Sequence, residues 1–280
     1  MGRIHVFPRT TTRALTPTGG YLAGFTHSLQ PYAGCQFDCG YCYVRELAVQ
    51  RANPFRLPWS QWIAPKTDVA ERLRREAERG VTRTARIFCS SATDPYVPIE
   101  RRLGLTRACL EVLAEHPPAL LVVQTRSPFV VRDAELLARI PGAVVSVTVG
   151  SDDDRVRRLL EPNAPGIELR LATLARLRAA GVPTQAAVAP LLPCDPERLA
   201  RRLEPLVDRV VVDDFFRGDG AGGRRSRAAL ERLRAAGFGA WAEPGYADEA
   251  IETFRRIFGP ERVGVSASGF AAADSVVRRA

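Results

Sequence analysis

The sequence contains no run of about 18 uncharged apolar residues, which is the length that a membrane-spanning helix needs. Residues 1–5 also lack the apolar core of a signal peptide. We therefore expect a cytoplasmic protein that does not associate with a membrane. Disordered and fibrous proteins are excluded, because 46% of the 280 residues are hydrophobic and 25% are charged, as in ordinary globular proteins.

Lysine is almost absent from the chain. Lys66 is the only lysine among 40 basic residues, so the other 39 are arginines, and the formal net charge is +9. A GC-rich genome explains this bias without any function, whereas a surface that pairs with phosphate groups is the functional interpretation. Most arginines alternate with acidic residues, as in residues 71–76, which is typical of a solvated helix face. The charge therefore favours nucleic acid only weakly.

Cysteine is too scarce for a disulfide scaffold, since the chain has six in 280 residues. Three of them, Cys35, Cys39 and Cys42, lie within eight positions with the spacing C-x3-C-x2-C. Three thiolates can hold three irons of a 4Fe–4S cluster and leave the fourth iron free to bind a small molecule. The alternative for this motif is a zinc ion completed by His27, because a structural zinc needs four ligands. The alternative to an enzyme is a binding module that holds zinc or a cluster without catalysis.

Short apolar runs alternate with amphipathic stretches from about residue 26, which is the pattern of parallel βα units. Six strands are predicted, at about 27–32, 85–90, 120–125, 143–149, 183–190 and 209–213. Helices are predicted at about 68–79, 104–115, 131–139, 166–180, 195–205, 224–236 and 247–258. An apolar stretch at 262–265 is predicted to cap or extend the sheet.

We predict an α/β fold, a partial (β/α)6 TIM-type barrel with an irregular N-terminal arm and a C-terminal extension. The arm is assigned to residues 1–25, the barrel to 26–240 and the extension, which packs on the barrel, to 241–280. Reactive groups of parallel barrels lie in the loops after the strands. Those loops are expected at 35–42, 91–94, 125–127, 148–152, 190–193 and 213–216, and most of them are polar.

The cysteine spacing, with Tyr41 directly before the last cysteine, resembles the radical S-adenosylmethionine (SAM) superfamily. The chain also resembles the spore photoproduct lyase-related or "DNA repair photolyase" branch over about residues 25–195. The motifs that carry this resemblance occur in the same order as in the branch, at 31–45, 93–101, 125–127, 161–162 and 189–190. The resemblance implies a 4Fe–4S cluster whose open iron binds SAM. The resemblance also implies an electron donor such as flavodoxin or ferredoxin, which reduces the cluster so that SAM is cleaved to a 5′-deoxyadenosyl radical. This radical abstracts hydrogen from the substrate, in a lyase-like or oxidoreductase reaction.

The resemblance also implies roles for two loops. Tyr41 is expected beside the adenine of SAM, and its alternative role is packing of the cysteine loop. Thr93 and Asp94 follow the second strand, where the branch contacts the methionine amino group. Their alternative is an Asx-type turn before Pro95.

Three residues on later strands complete the expected SAM site. Arg126 stands where relatives often place a lysine that pairs with the methionine carboxylate, and arginine can make that contact with two hydrogen bonds. Ser146 and Thr148 point to the same face of one strand, and either side chain could reach the ribose. The sequence does not choose between them.

The hydrogen-returning cysteine of the lyase is missing from its expected place. That cysteine stands just before the turn after the second strand, where this chain has Ser91, and a serine O–H bond is too strong to donate a hydrogen atom readily. Cys89 could take the role only if the substrate reached deeper into the barrel, and its alternative role is core packing. We therefore expect a different substrate or a reaction that ends without cysteine repair.

A nucleic acid or nucleoside is the expected substrate, and a small metabolite or natural-product intermediate is the alternative. Trp59 and Trp62 either stack on a base or pack over the barrel. Lys66 is either a buried or substrate-facing amine or an ordinary surface residue.

Overall fold

The computed structural model describes residues 4–218, 221–243 and 245–277. The strands in chain order are β1 (His5–Val6), β2 (Leu15–Pro17), β3 (His27–Leu29), β4 (Tyr32–Ala33), β5 (Trp62–Pro65), β6 (Arg86–Cys89), β7 (Leu120–Thr125), β8 (Ala143–Thr148), β9 (Thr184–Val188), β10 (Arg209–Val212) and β11 (Val263–Val265). Each of the six predicted strands is present, although most are shorter than predicted.

The main sheet has the strand order β11-β10-β9-β8-β7-β6-β3-β2, and β1, β5 and β4 form a second, smaller sheet. Neighbours in the main sheet are parallel except at the β2 edge, where β2 runs antiparallel to β3. The parallel sheet confirms the predicted α/β fold. Residues 262–265 were expected to cap or extend the sheet, and β11 extends it. The predicted arm contributes β1 and β2, which are too short to leave an alternating pattern in the sequence.

Most helices cover the outer side of the sheet, whereas the last two pack on its interior. The helices are α1 (Val69–Glu78), α2 (Glu100–Leu103), α3 (Leu105–Glu115), α4 (Ala134–Ala138), α5 (Asp154–Leu160), α6 (Ile167–Ala179), α7 (Pro196–Leu203), α8 (Phe215–Gly218), α9 (Arg227–Ala235), α10 (Tyr246–Phe258), α11 (Ser266–Ala271) and α12 (Asp274–Val277). The helix predicted at 131–139 is a 3₁₀ segment, Pro128–Asp133, followed by the short α4. No helix in the described ranges is long and apolar enough to cross a membrane.

The strands bury both faces, as parallel strands under helices do. One set of alternating side chains packs against the helices: Ile87, Leu121, Val123, Val145, Ala186 and Val210. The other set faces the interior of the curved sheet: Phe88, Leu120, Val122, Val144, Ala187 and Val211. Phe270 of α11 and Phe25 pack onto this interior set, with Phe270 6.1 Å from Phe88 between ring centroids.

The sheet curves far enough to bring distant strands together. Four strands separate β3 from β10, yet Tyr41, which follows β3, lies 5.5 Å from Phe215, which follows β10, between ring centroids. Tyr21, which precedes β3, donates a hydrogen bond to Asp213 at the end of β10. In the described part of the chain, β2 and β11 remain unpaired edges. The architecture is therefore a partial barrel.

Phe270→Ala tests whether the C-terminal segment fills the interior. We expect the free energy of unfolding to fall by about 3–5 kcal/mol, because the substitution leaves a cavity among buried side chains. Phe55→Ala is the matched control, since Phe55 is exposed. Denaturant unfolding measures both variants, and equal small losses would show that α11 does not support the barrel.

Candidate active site

A cavity of about 380 Å³ opens at the carboxyl ends of the parallel strands. The loops after β3, β6, β7, β9 and β10 and the end of β8 all contribute to its wall. Each of these segments has at least one residue that lines the cavity, namely Cys35, Cys39, Cys42, Thr93, Asp94, Arg126, Thr148, Pro190 and Asp213. This is the end of a parallel barrel at which reactive groups converge.

The cysteine loop follows β4 and is held by local contacts. Asp38 adopts a left-handed conformation at φ 55°, which aspartate tolerates better than most residues. Its carboxylate accepts a hydrogen bond from Arg45 Nη2 at 2.7 Å, and the same nitrogen donates to the Cys39 carbonyl at 2.9 Å. The Gly40 amide donates to the Leu160 carbonyl at 2.7 Å. These contacts fix the loop so that all three cysteines line the cavity.

The three thiols suit a cluster that supplies positive charge. Burial raises the pKa of Cys35 to about 12 and raises the pKa of Cys39 and Cys42, while the charge of Arg126 opposes these shifts. Iron ions bind thiolates and displace their protons, so they offset the cost of burying the charge. A cubane binds each cysteine through a different iron, so the thiols need not meet at one point. Among the described residues no three His, Cys, Asp or Glu side chains do so.

His27 does not complete a zinc site with these cysteines. It begins β3, at the end of that strand away from the cysteine loop, and its Nδ1 lies 2.8 Å from Thr26 Oγ1. The zinc alternative with His27 is therefore wrong, because the length of the strand separates this ligand from the thiols.

Arg126 lies against the cysteine loop. Its Nη1 is 2.7 Å from Cys39 Sγ and donates to the Tyr41 hydroxyl at 3.0 Å. The same nitrogen forms an ion pair with Glu161 Oε1 at 3.0 Å. Glu161 also accepts hydrogen bonds from the Tyr41 hydroxyl and from Arg170 Nη2. One buried carboxylate thus connects Arg126, Arg170 and the cysteine loop.

Glu161 stays ionised although its side chain is only 1% exposed. Burial alone raises its pKa, but the charges of Arg170 and Arg126 outweigh burial and lower the pKa to about 2. Arg170 also donates to the carbonyls of Pro165 and Thr148, at 2.9 and 3.2 Å. The sequence analysis did not identify this pair. A signal was present, because Arg170 lies on the apolar stripe of α6 that includes Leu174, and a buried arginine requires an anionic partner.

Thr93 and Asp94 both line the cavity. Asp94 accepts hydrogen bonds from the amide of Tyr96 at 2.8 Å, the hydroxyl of Thr125 at 2.7 Å and the amide of Arg126 at 2.9 Å. Thr93 donates to the Gly34 carbonyl. Asp94 therefore forms the Asx-type turn and also joins the loop after β6 to the end of β7, next to Arg126.

Ser146 and Thr148 differ in their access to the cavity. Both face the interior, but Ser146 is fully buried and accepts a hydrogen bond from Gln185 Nε2 at 2.9 Å. Thr148 lines the cavity and accepts from Gln124 Nε2 at 2.7 Å. Of the two, Thr148 is the one that a bound molecule can reach.

Cys89 does not line the cavity. Its side chain is buried in the layer between the sheet and the helices, among residues such as Leu110. The strand ends at Cys89, so the alternation that would place residues 89 and 91 on one face does not continue. Ser91 lines the cavity and accepts a hydrogen bond from Gln30 Nε2 at 2.7 Å. This placement corresponds to the core-packing interpretation of Cys89.

The remaining candidates, Trp59, Trp62 and Lys66, differ in their position relative to the cavity. Trp59 lines the cavity, and Trp62 packs edge-on against it at 5.7 Å between ring centroids. Lys66 is outside the residues that line the cavity. Burial and the charge of Arg9 lower its pKa, and its backbone forms a bridge with Arg9.

The chain matches the family described as "Radical SAM superfamily" over residues 29–203, which is more than half of its length. It belongs to that superfamily, whose members use a 4Fe–4S cluster and SAM, and it is a radical SAM enzyme.

The chain is similar to several curated proteins, one of which is named as a radical SAM enzyme. An uncharacterized protein of Methanocaldococcus jannaschii is 27% identical over 191 residues, which are 68% of this chain and 69% of that protein. A "Radical SAM Nalpha-GlyT isomerase" of Pseudomonas phage M6 is 27% identical over 241 residues, which are 83% of this chain but 43% of the phage protein. This chain therefore corresponds to less than half of the isomerase.

Solved structures show the same fold. A spore photoproduct lyase complexed with dinucleoside spore photoproduct matches with a TM-score of 0.63 at 17% identity, over 93% of this chain and 81% of that chain. At this identity the likeness shows the fold alone.

Glu161→Gln tests the buried ion-pair network. We expect the free energy of unfolding to fall by about 3–5 kcal/mol, because two buried guanidinium groups lose their shared anion. Glu168→Gln is the matched control, since Glu168 pairs with Arg202 at the surface, and we expect a loss below about 1 kcal/mol. Denaturant unfolding at pH 7 compares them, and equal losses would contradict the role of the network.

The same network predicts a pH dependence. The pKa of Glu161 is lowered from 4.5 to about 2 in the folded protein. Its contribution to stability is therefore complete above pH 4.5 and is lost as the pH falls toward 2. The stability difference between the wild type and Glu161→Gln should shrink over this range, and a constant difference would contradict the assigned pKa.

Proposed function

We propose that Cys35, Cys39 and Cys42 bind the 4Fe–4S cluster through thiolates, with the fourth iron facing the cavity. The observation that carries this proposal is that all three thiols open onto one cavity at the carboxyl ends of the strands. When bound, the cluster and SAM supply a 5′-deoxyadenosyl radical for hydrogen abstraction.

The side chains around the cysteines are suited to hold SAM. Arg126 is 16% exposed and lines the cavity, so it can pair with the methionine carboxylate while it keeps its ion pair with Glu161. We assign Thr93 and Asp94 to the neighbourhood of the methionine amino group and Thr148 to the ribose. Tyr41 packs beside Phe215, where its ring and backbone can border the adenine.

The cavity wall excludes water from a reactive radical. Aromatic rings form much of it: Phe37, Tyr41, Tyr43, Trp59, Phe88, Phe215 and Phe270. A dry wall limits side reactions and holds the substrate within reach of the reacting group.

We propose a nucleoside or nucleic acid as the substrate. Residues beside the cavity support this class: Phe216 is 46% exposed next to the cavity-lining Phe215, and the exposed Arg224 and Arg227 flank the cavity-lining Ser226. Exposed aromatic rings stack on bases, and arginines pair with phosphates. The cavity of about 380 Å³ must also hold the cluster and SAM and therefore has no room for a duplex, so a nucleotide in DNA would enter flipped out of the helix.

One protein of matching fold agrees with this class, because the spore photoproduct lyase was solved with a dinucleoside photoproduct. The phage relative, named as a radical SAM isomerase, aligns with 83% of this chain. We therefore place the chain near the spore photoproduct lyase-related branch, with a different reaction. An acidic electron carrier such as flavodoxin or ferredoxin is the proposed reductant, since Arg45 and Arg225 lie beside the cysteine loop and its continuation.

A small metabolite is the second candidate. The charged side chains in the cavity wall are Asp94, Arg126, Asp213 and Asp214, so the wall carries no basic track for a phosphate backbone. Binding of single-stranded DNA at 50 and 200 mM salt distinguishes the two, because phosphate contacts make affinity fall steeply with salt.

Anaerobic reconstitution tests the cluster ligands. Cys35→Ala, Cys39→Ala and Cys42→Ala should each abolish formation of 5′-deoxyadenosine from SAM, because each thiolate holds one iron. Cys194→Ala is the control, since Cys194 lies outside the residues that line the cavity. Full SAM cleavage in two of the three variants would contradict the assignment.

Thymine photoproduct DNA tests the difference from the lyase. The described cysteines that line the cavity are Cys35, Cys39 and Cys42, and we assign Ser91 to the place of the lyase's hydrogen donor. With SAM and reductant present, we expect no efficient repair. Robust repair that disappears in Cys89→Ala would overturn this expectation.

A further inference from the structure

The cavity lining includes a buried carboxylate that forms no ion pair within the described residues. Asp213 follows β10, lines the cavity and is only 4% exposed. Its carboxylate accepts hydrogen bonds from the Tyr21 hydroxyl and, at 3.0 Å, from the Asp214 amide, and the side chain of Ser266 also hydrogen-bonds to it. None of the ion pairs of the described residues includes Asp213. A buried carboxylate in this state is costly unless something supplies positive charge or further hydrogen-bond donors.

The neighbouring Asp214 shows the contrast. It accepts from the amides of Phe216 and Arg217, at 2.8 and 2.6 Å, and forms an ion pair with Arg217 Nη1 at 3.0 Å. Its charge is used within the fold to begin α8. Asp213 forms no ion pair in the described part of the chain, although the charge of Arg217 lies near enough to interact with it, and its side chain faces the cavity.

The pKa of Asp213 is raised, as expected for a buried carboxylate. Burial raises its pKa to about 6, and the nearby charge of Asp214 adds to the shift, while the hydrogen bond from Tyr21 opposes it. A positively charged ligand would remove this cost and restore the carboxylate.

A second polar group that lines the cavity has no hydrogen-bond partner within the described residues. This group is the buried Ser226 Oγ. Gly218, which lines the cavity too, brings its backbone so close to the Asp213 carboxylate that a Cβ there would collide with it. The cavity lining therefore includes one unpartnered hydroxyl and one carboxylate that forms no ion pair within the described residues.

We propose that Asp213 binds a protonated amine of the substrate, with Tyr21 orienting the carboxylate and Ser226 accepting a second hydrogen bond. The inference rests on the proposed function in taking the cavity as the substrate site. It adds the chemical class that this wall selects, which is an aminated nucleoside and not a neutral one. Tyr21 is a positioning residue here, because it acts through Asp213.

Two pairs of probe molecules test the amine site, and the members of each pair differ only in carrying an amine or a hydroxyl group. One pair is 5-aminomethyl-2′-deoxyuridine and 5-hydroxymethyl-2′-deoxyuridine, and the other is benzylamine and benzyl alcohol. Calorimetric titration of the anaerobic holoenzyme with SAM bound should show amine preferences of roughly tenfold or more, as expected for a charged hydrogen bond. Asp213→Asn should abolish the preference, and Ser226→Ala should weaken it several-fold.

Asp248→Asn is the matched control, because Asp248 pairs with Arg217 at the surface and lies outside the residues that line the cavity. It should retain the full amine preference. If Asp213→Asn does not load the cluster, the Ser226→Ala and Tyr21→Phe variants provide the test, because both leave the carboxylate in place and should reduce amine affinity without lowering SAM affinity.

The outcomes separate this inference from the proposed function. An Asp213-dependent preference for benzylamine without nucleoside binding supports the amine site and overturns the nucleoside substrate. Nucleoside binding without amine preference in either pair overturns the amine site and leaves the nucleoside substrate standing. An amine preference that persists in Asp213→Asn, or that is absent in the wild type, also overturns the amine site.

Discussion

The ion pairs that Glu161 forms with Arg126 and Arg170 are the contact on which the cavity depends. Arg126 contacts the cysteine loop through Cys39, and Arg170 donates to the carbonyl of Thr148. The network therefore connects the loop after β4 with the ends of β7 and β8. Each guanidinium needs the carboxylate, because an unpaired buried charge destabilises the fold. The ion pairs offset the free-energy cost of burying these charges. As a result, Arg126 is held in one position beside the thiols.

The two chain ends supply the other constraint. The curved sheet does not close through strand pairing in the described residues, and side chains complete the enclosure instead. Phe270 packs on Phe88 inside the sheet, and Tyr21 reaches Asp213 across the gap between β3 and β10. Segments that look like an arm and an extension in the sequence thus form part of the cavity wall.

The sequence was sufficient for features that depend on local pattern. The spacing of Cys35, Cys39 and Cys42 and the alternation of apolar runs with helical stripes predicted the superfamily and the six parallel strands. Long-range pairing was not predictable in the same way. Glu161 and Arg170 are recognised as partners only once α5 and α6 are folded. The strand β11 is three residues long, which is too short for a periodic pattern to identify it. The orientation of Cys89 depends on where its strand ends, which a periodic pattern does not determine.

The central claim is that the iron without a protein ligand faces the cavity beside Arg126 and binds SAM there. Electron–nuclear double resonance of the reduced cluster with SAM labelled at the amino nitrogen and the carboxylate oxygens tests it directly. The account predicts coupling of both labels to the cluster, with the carboxylate coupling altered in Arg126→Ala. A fully loaded cluster that shows no coupling to either label would contradict it.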